Sequence, residues 1–119
     1  MVLLGLSAQF TLAQDANPMG EVKKIADIVA SMNHFPSDED KAVLAIISAN
    51  DTLPQGVRDM ANTVFNIAHA PNDEGKEAMA RIQAREQAPD SAKSLAGMIA
   101  NFNHMLSEED KTTLAQLFP

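Results

Sequence analysis

Three histidines, each a possible ligand for a transition metal, recur at a spacing of 35 residues: His34, His69 and His104. Five residues after each histidine stands a glutamate, and the three are Glu39, Glu74 and Glu109. Imidazole nitrogens and carboxylate oxygens are ligand types that zinc, copper and nickel accept in proteins. The pattern makes these six residues candidate metal ligands, and it makes haem a second candidate cofactor for the histidines.

Whether the histidines could share one ion depends on the fold around them. Neighbouring helices pack about 8–10 Å apart, whereas zinc–nitrogen bonds are about 2.0–2.1 Å long. An open array of helices would spread the histidines along one edge, and only a closed threefold arrangement or an oligomer axis would gather them. The competing interpretation is structural: each histidine lies in the last turn of one helix and faces the glutamate that starts the next. We take this capping role as the leading interpretation, with no cofactor and no metal site assigned.

The histidines belong to an internal repeat. Units 15–49, 50–84 and 85–119 align without gaps, and five columns are identical in all three units. Apart from the histidine and glutamate columns, the identical residues are Ala26, Ala61 and Ala96; Lys41, Lys76 and Lys111; and Ala45, Ala80 and Ala115. A period of this length is typical of stacked supersecondary units, because one such unit cannot bury its apolar face alone.

Each unit predicts two helices joined by a short corner at the histidine. In the first unit, apolar residues such as Val22, Ile25 and Val29 follow the spacing of an amphipathic helix from about residue 19 to residue 33. The second helix is preceded by residues that favour the N-cap position, and these are Ser37, Asn72 and Ser107. The alanine columns at 26 and 45 are small enough to allow close helix packing. The sequence therefore predicts an all-α fold of three tandem 35-residue helical hairpins, six helices in all, packed as a compact bundle or a short superhelix.

The period is similar to that of tetratricopeptide and pentatricopeptide arrays in its length and in its two helices per unit. The Trp, Gly, Tyr and Pro positions of the tetratricopeptide pattern are absent. The basic character of pentatricopeptide RNA readers is reversed, because this chain carries a net charge of −7. No family is assigned from these residues.

Composition and the absence of certain motifs argue against several functional classes. The net charge of −7 disfavours binding to nucleic acid and to anionic lipid, and we expect no membrane insertion of the mature chain. Cysteine is absent, which excludes disulfides, thiolate metal sites and a cysteine nucleophile. The sequence contains no HExxH pair and no glycine-rich phosphate loop. We therefore predict that the protein is not an enzyme.

The first 14 residues differ from the rest of the chain. MVLLGLSAQFTLAQ carries no charge, and Thr11 and Ala13 have the spacing of a signal-peptidase site. We interpret residues 1–14 as a secretory signal or an apolar leader, although no basic residue follows Met1. This interpretation predicts a secreted or periplasmic protein whose mature part, residues 15–119, is a single helical-repeat domain.

These observations lead to a ranked set of functional hypotheses. The leading one is a small exported, non-catalytic module that binds another protein or a peptide, including a second copy of itself. The alternative is binding of copper, zinc, nickel or haem through the repeated histidine corners. An enzyme of unknown type ranks third.

Overall fold

A computed structural model describes residues 18–119, and the leader predicted over residues 1–14 lies outside this range. The described part contains six helices and no strand: α1 Pro18–Ser31, α2 Asp38–Ala49, α3 Gln55–Phe65, α4 Asp73–Ala84, α5 Asp90–Ala100 and α6 Glu108–Leu117. The predicted all-α fold of six helices is confirmed. None of these helices is long and apolar enough to cross a membrane.

The second, fourth and sixth helices begin at the side-chain caps that the sequence predicts. Ser37 Oγ accepts a hydrogen bond from the Asp40 backbone N–H at 3.1 Å, which satisfies one of the free donors of the first turn. Asn72 and Ser107 make the equivalent bonds at the starts of α4 and α6. Acidic residues occupy the first turn of all three helices, where they suit the positive end of the helix dipole.

The helices close on one another as a bundle. Helix α1 contacts α3 and α5, which also contact each other, so these three form the inside of the fold. Helix α6 contacts both α5 and α1, and this closes the ring. The core consists mainly of aliphatic and methionine side chains at matching positions of the inner helices, and these are Ile25, Met60 and Leu95; Ala26, Ala61 and Ala96; and Val29, Val64 and Ile99.

One of the two alanine columns does not pack as predicted. Ala26, Ala61 and Ala96 are buried, and these three small side chains let the inner helices approach closely. The second column, which is Ala45, Ala80 and Ala115, is exposed. The prediction of close helix packing at these positions is wrong, because the buried face of the outer helices runs through the columns of Leu44 and Ile47 instead.

The three inner helices run in the same direction. Their carboxyl ends lie three or four residues before His34, His69 and His104, which meet at one end of the bundle. Their amino ends meet at the other end, where Pro18, Pro54 and Pro89 line a common cavity. We call these the histidine end and the proline end. Helices of 11 to 14 residues place the two ends about 16–21 Å apart.

Candidate metal centre

The three corners are joined by a closed ring of backbone hydrogen bonds. The His34 N–H donates to the His104 carbonyl, the His69 N–H to the His34 carbonyl, and the His104 N–H to the His69 carbonyl. All three bonds are 2.6 Å long. Each histidine thus satisfies its own donor and acceptor with the other two, and the ring holds three chain segments from distant parts of the sequence at one point.

All three histidines adopt a backbone conformation that L-residues rarely adopt. Their φ angles are 73°, 72° and 69°, and no other non-glycine residue in the described part of the chain has a positive φ. Around His34, the Phe35 N–H also donates to the Asn33 carbonyl at 2.9 Å, and the Met105 N–H donates to the Asn103 carbonyl around His104. A positive φ at the centre of such a three-residue turn is typical of the strained γ-turn.

This geometry corrects the expected capping role. The histidines were predicted in the last turn of the preceding helix, but α1, α3 and α5 end before them, and each histidine is the apex of the corner itself. A left-handed conformation of a non-glycine residue costs about 1–3 kcal/mol and persists only where the surroundings impose it. Glycine would adopt it at lower cost, and histidine is, with asparagine and aspartate, among the other residues found there most often. The closed ring of backbone hydrogen bonds imposes it on all three histidines.

The imidazole rings lie against one another. Their centroids are 4.9–5.0 Å apart, and the rings meet edge to face with interplanar angles of 88°, 83° and 68°. One ring nitrogen from each histidine lies within 4.8 Å of the other two. This is the closed arrangement that the sequence required for a shared ion. Among residues 18–119, no other cluster of three or more such side chains has this spacing.

The three nitrogens fit a metal ion after a small movement. Three nitrogens at the corners of a triangle with 4.8 Å sides lie about 2.8 Å from its centre, against about 2.0–2.1 Å for a zinc–nitrogen bond. Each nitrogen would move inward by at most about 0.8 Å, which rotation about the side-chain bonds can supply. His34 is half-buried and the other two histidines are exposed, so an ion could enter from solvent.

Asparagine side chains orient two of the three rings. Nδ1 of His34 bonds to Oδ1 of Asn33, and Nδ1 of His104 bonds to Oδ1 of Asn103 at 2.5 Å. An amide oxygen only accepts, so each of these contacts favours the tautomer with the proton on Nδ1 and the lone pair on Nε2. In the third corner the corresponding residue is Ala68, which has no side-chain acceptor.

The surrounding charges favour a cation at the histidine end. Three inner helices direct their carboxyl ends towards it, and the carboxyl end of a helix carries a partial negative charge. Acidic residues at the starts of α2, α4 and α6 follow four residues after the histidines. The net charge of −7 adds a general attraction for positive ions.

The glutamates of the sequence pattern do not join this cluster. Glu39, Glu74 and Glu109 are exposed on the outer helices, and no hydrogen bond or ion pair within residues 18–119 links them to a histidine. The group of converging ligand atoms comprises the imidazoles alone. Of the lysine column, Lys41 lies with its ammonium 5.9 Å from the centroid of the Phe65 ring.

The methionines divide between core and surface. The helical spacing of Met32, Met60, Met79 and Met98 predicts a packing role; the first three are buried and Met98 is half-buried. Met105 is different: it follows His104 directly and is 47% exposed. Phe35, at the equivalent place beside His34, is 57% exposed. Apolar side chains therefore flank the histidines on the outside of the bundle.

No protein-family model, curated protein or solved structure matches this chain.

Proposed function

We propose that this protein binds a divalent transition metal ion through His34, His69 and His104. The observation that carries the proposal is the convergence of three imidazole nitrogens within 4.8 Å, on backbone that is both strained and held by a closed ring of hydrogen bonds.

The ligand chemistry favours zinc, copper or nickel. Neutral imidazole suits these ions, whereas magnesium and calcium prefer oxygen ligands. Three protein ligands leave a fourth position of a tetrahedral zinc ion open for water. Since two of the three histidines are exposed, that fourth position would face solvent, and a small molecule could replace the water there.

A bare ion suits this geometry better than haem, the second cofactor that the sequence suggested. Haem iron is held by one or two axial ligands on either side of a wide, flat macrocycle. The three rings here have centroids only about 5 Å apart, which leaves no room for a macrocycle between them. A single ion at their centre would use all three.

Calorimetric titration of the full chain with Zn²⁺, Cu²⁺ and Ni²⁺ tests the proposal. We expect one ion per chain with micromolar or tighter affinity. The triple variant His34→Asn, His69→Asn, His104→Asn should lose at least 100-fold in affinity. Asparagine tolerates a positive φ, so the variant should keep its helical circular dichroism. A control variant with Glu39, Glu74 and Glu109 changed to Gln should bind as the parent does. Equal binding by the histidine variant, or no binding by the parent, would refute the proposal.

Protein or peptide binding, the leading hypothesis from the sequence, is a second candidate. The supporting observation is the exposure of Phe35 and Met105 beside the histidines and of Ile46, which is 71% exposed on α2. Light scattering of the protein with and without zinc would show whether a second copy docks on this end. A monomer under both conditions, unchanged by Phe35→Ser, would exclude self-association. Export of the protein and the absence of catalysis stay predictions.

A further inference from the structure

The three histidines have unequal partners. Asn33 and Asn103 precede His34 and His104 and bond to their Nδ1 atoms. Ala68 precedes His69 and is exposed, as are the two asparagines. The three positions are 35 residues apart, so the same corner carries an asparagine twice and an alanine once.

A neutral imidazole exists as two tautomers, and the hydrogen bond at one nitrogen decides which nitrogen can bind a metal. An amide oxygen at Nδ1 holds the proton there and leaves the lone pair on Nε2. It also fixes the ring plane, which lowers the entropy that the side chain loses when it coordinates an ion.

We infer that Asn33 and Asn103 are positioning residues that fix His34 and His104 as Nε2 ligands, while His69, which follows an alanine and has no such bond, is the adjustable third ligand. This inference rests on the proposed function, because it assigns roles within the same site. It also makes a statement about the metal-free protein, namely the tautomers of His34 and His104, which can be tested without any metal.

The inference predicts opposite effects for two kinds of substitution. Loss of a hydrogen bond to a coordinating histidine typically costs about 10–100-fold in metal affinity, so Asn33→Ala and Asn103→Ala should each weaken binding by that factor. Ala68→Asn would place the missing acceptor beside His69. Because residue 68 is exposed, the larger side chain has room, and we expect metal affinity to rise several-fold.

Nitrogen-15 NMR of the metal-free protein tests the first part directly, because protonated and unprotonated ring nitrogens differ in chemical shift. At a pH where the imidazoles are neutral, we expect His34 and His104 to be protonated at Nδ1, and His69 to populate both tautomers. Ala68→Asn should shift His69 to the Nδ1–H form, and Asn33→Ala should release His34 from it. Asn33→Asp keeps an acceptor oxygen and should retain the tautomer. Asn101→Ala is the matched control, since Asn101 bonds to the Gly97 carbonyl rather than to a histidine.

The outcomes separate this inference from the proposed function. If His34 and His104 are protonated at Nε2, or keep their tautomer after loss of the asparagines, the positioning role is refuted whatever the metal affinity. If the tautomers are as expected but calorimetry detects no metal, the proposed function is refuted and the asparagine-set tautomers stand. If Asn33→Ala and Asn101→Ala lose affinity equally, the effect is not specific to the histidine contact and the positioning role is refuted.

Discussion

The two ends of the inner helices are held together by different forces. At the histidine end, three corners share a ring of backbone hydrogen bonds, and each following helix begins with a side-chain cap. At the proline end, α3 and α5 follow Pro54 and Pro89, which make no side-chain cap bond. The space between the amino ends of the helices is an apolar cavity of about 370 Å³.

The difference gives the bundle one end at which positions are fixed closely and one end at which side chains can adjust. Hydrogen bonds are directional, so the ring at the histidine end allows one relative placement of the three corners. Apolar contacts are not directional, and a cavity leaves side chains such as Met19 room to adjust. Ligand atoms that must converge within about an ångström belong at the directional end, which is where the imidazoles lie.

The largest expected effect comes from removing an apolar side chain next to the histidines. Phe102 is two residues before His104 and is 2% exposed. Phe102→Ala should lower the free energy of unfolding by about 3–5 kcal/mol, because it leaves a cavity in the core. Met19→Ala at the proline end should cost about 1 kcal/mol or less, since Met19 is already 39% exposed. Chemical denaturation measures the free energy of unfolding of both variants. Similar losses of stability for the two would contradict the proposed difference between the ends.

A metal ion bound at the histidine end should raise the free energy of unfolding of the whole domain. A ligand that binds only the folded state adds about 2.7 kcal/mol at a free concentration 100 times its Kd. For a domain of this size that corresponds to a rise in Tm of about 10–20 °C. Differential scanning calorimetry with and without zinc gives the shift, and the triple histidine-to-asparagine variant should show none. A shift of equal size in that variant would place the bound metal elsewhere.

Much of this architecture follows from apolar spacing and capping residues. The stripe through Val22, Ile25 and Val29 predicted the buried face of the first inner helix, and Ser37, Asn72 and Ser107 predicted the starts of the outer helices. These features are local, because helix periodicity and a cap bond involve residues within a few positions of one another. The exposed Ala45 column shows the limit: a small residue marks close packing only if its face of the helix is buried.

The candidate site was only partly predictable for a physical reason. The sequence identified His34, His69 and His104 as possible ligands, but their convergence depends on contacts between corners that are 35 and 70 residues apart. The ring of backbone hydrogen bonds leaves no side-chain signature in the sequence. Asn33 and Asn103 were a usable signal, because an amide oxygen beside a histidine can bond to its ring nitrogen, as both do here.

A moderate effect is expected from the side-chain caps of the histidine end. Ser37→Ala removes the bond to the Asp40 N–H and should cost about 1 kcal/mol of stability. Ser48→Ala is the control, because Ser48 lies late in the same helix and its hydroxyl bonds only to the Ala45 carbonyl. It should change stability little, since alanine favours helix. Urea denaturation of both variants separates them, and equal effects would show that the cap does not contribute.

The smallest effect is a gain at the proline end. Gly56 lies in the first turn of α3 and lines the apolar cavity, and a methyl group there would meet Ile82 and Arg85 side-chain atoms at 3.7 Å, an ordinary contact distance. Gly56→Ala should therefore raise stability by about 0.5–1 kcal/mol, because alanine loses less backbone entropy on folding.

Gly75, in the first turn of α4, is the matched position at the histidine end. A methyl group there would lie 2.7 Å from Thr63 Cγ2 and 3.2 Å from the capping Oδ1 of Asn72. The β-branched threonine is stiff and buried, so Gly75→Ala should lose about 1–3 kcal/mol through overpacking. The same glycine-to-alanine substitution in the first turn of a helix should therefore raise stability at the proline end and lower it at the histidine end. Thermal denaturation of the two variants measures both changes in stability. A gain in stability for Gly75→Ala would mean that the side chains beside the histidine corners shift as easily as those that line the cavity.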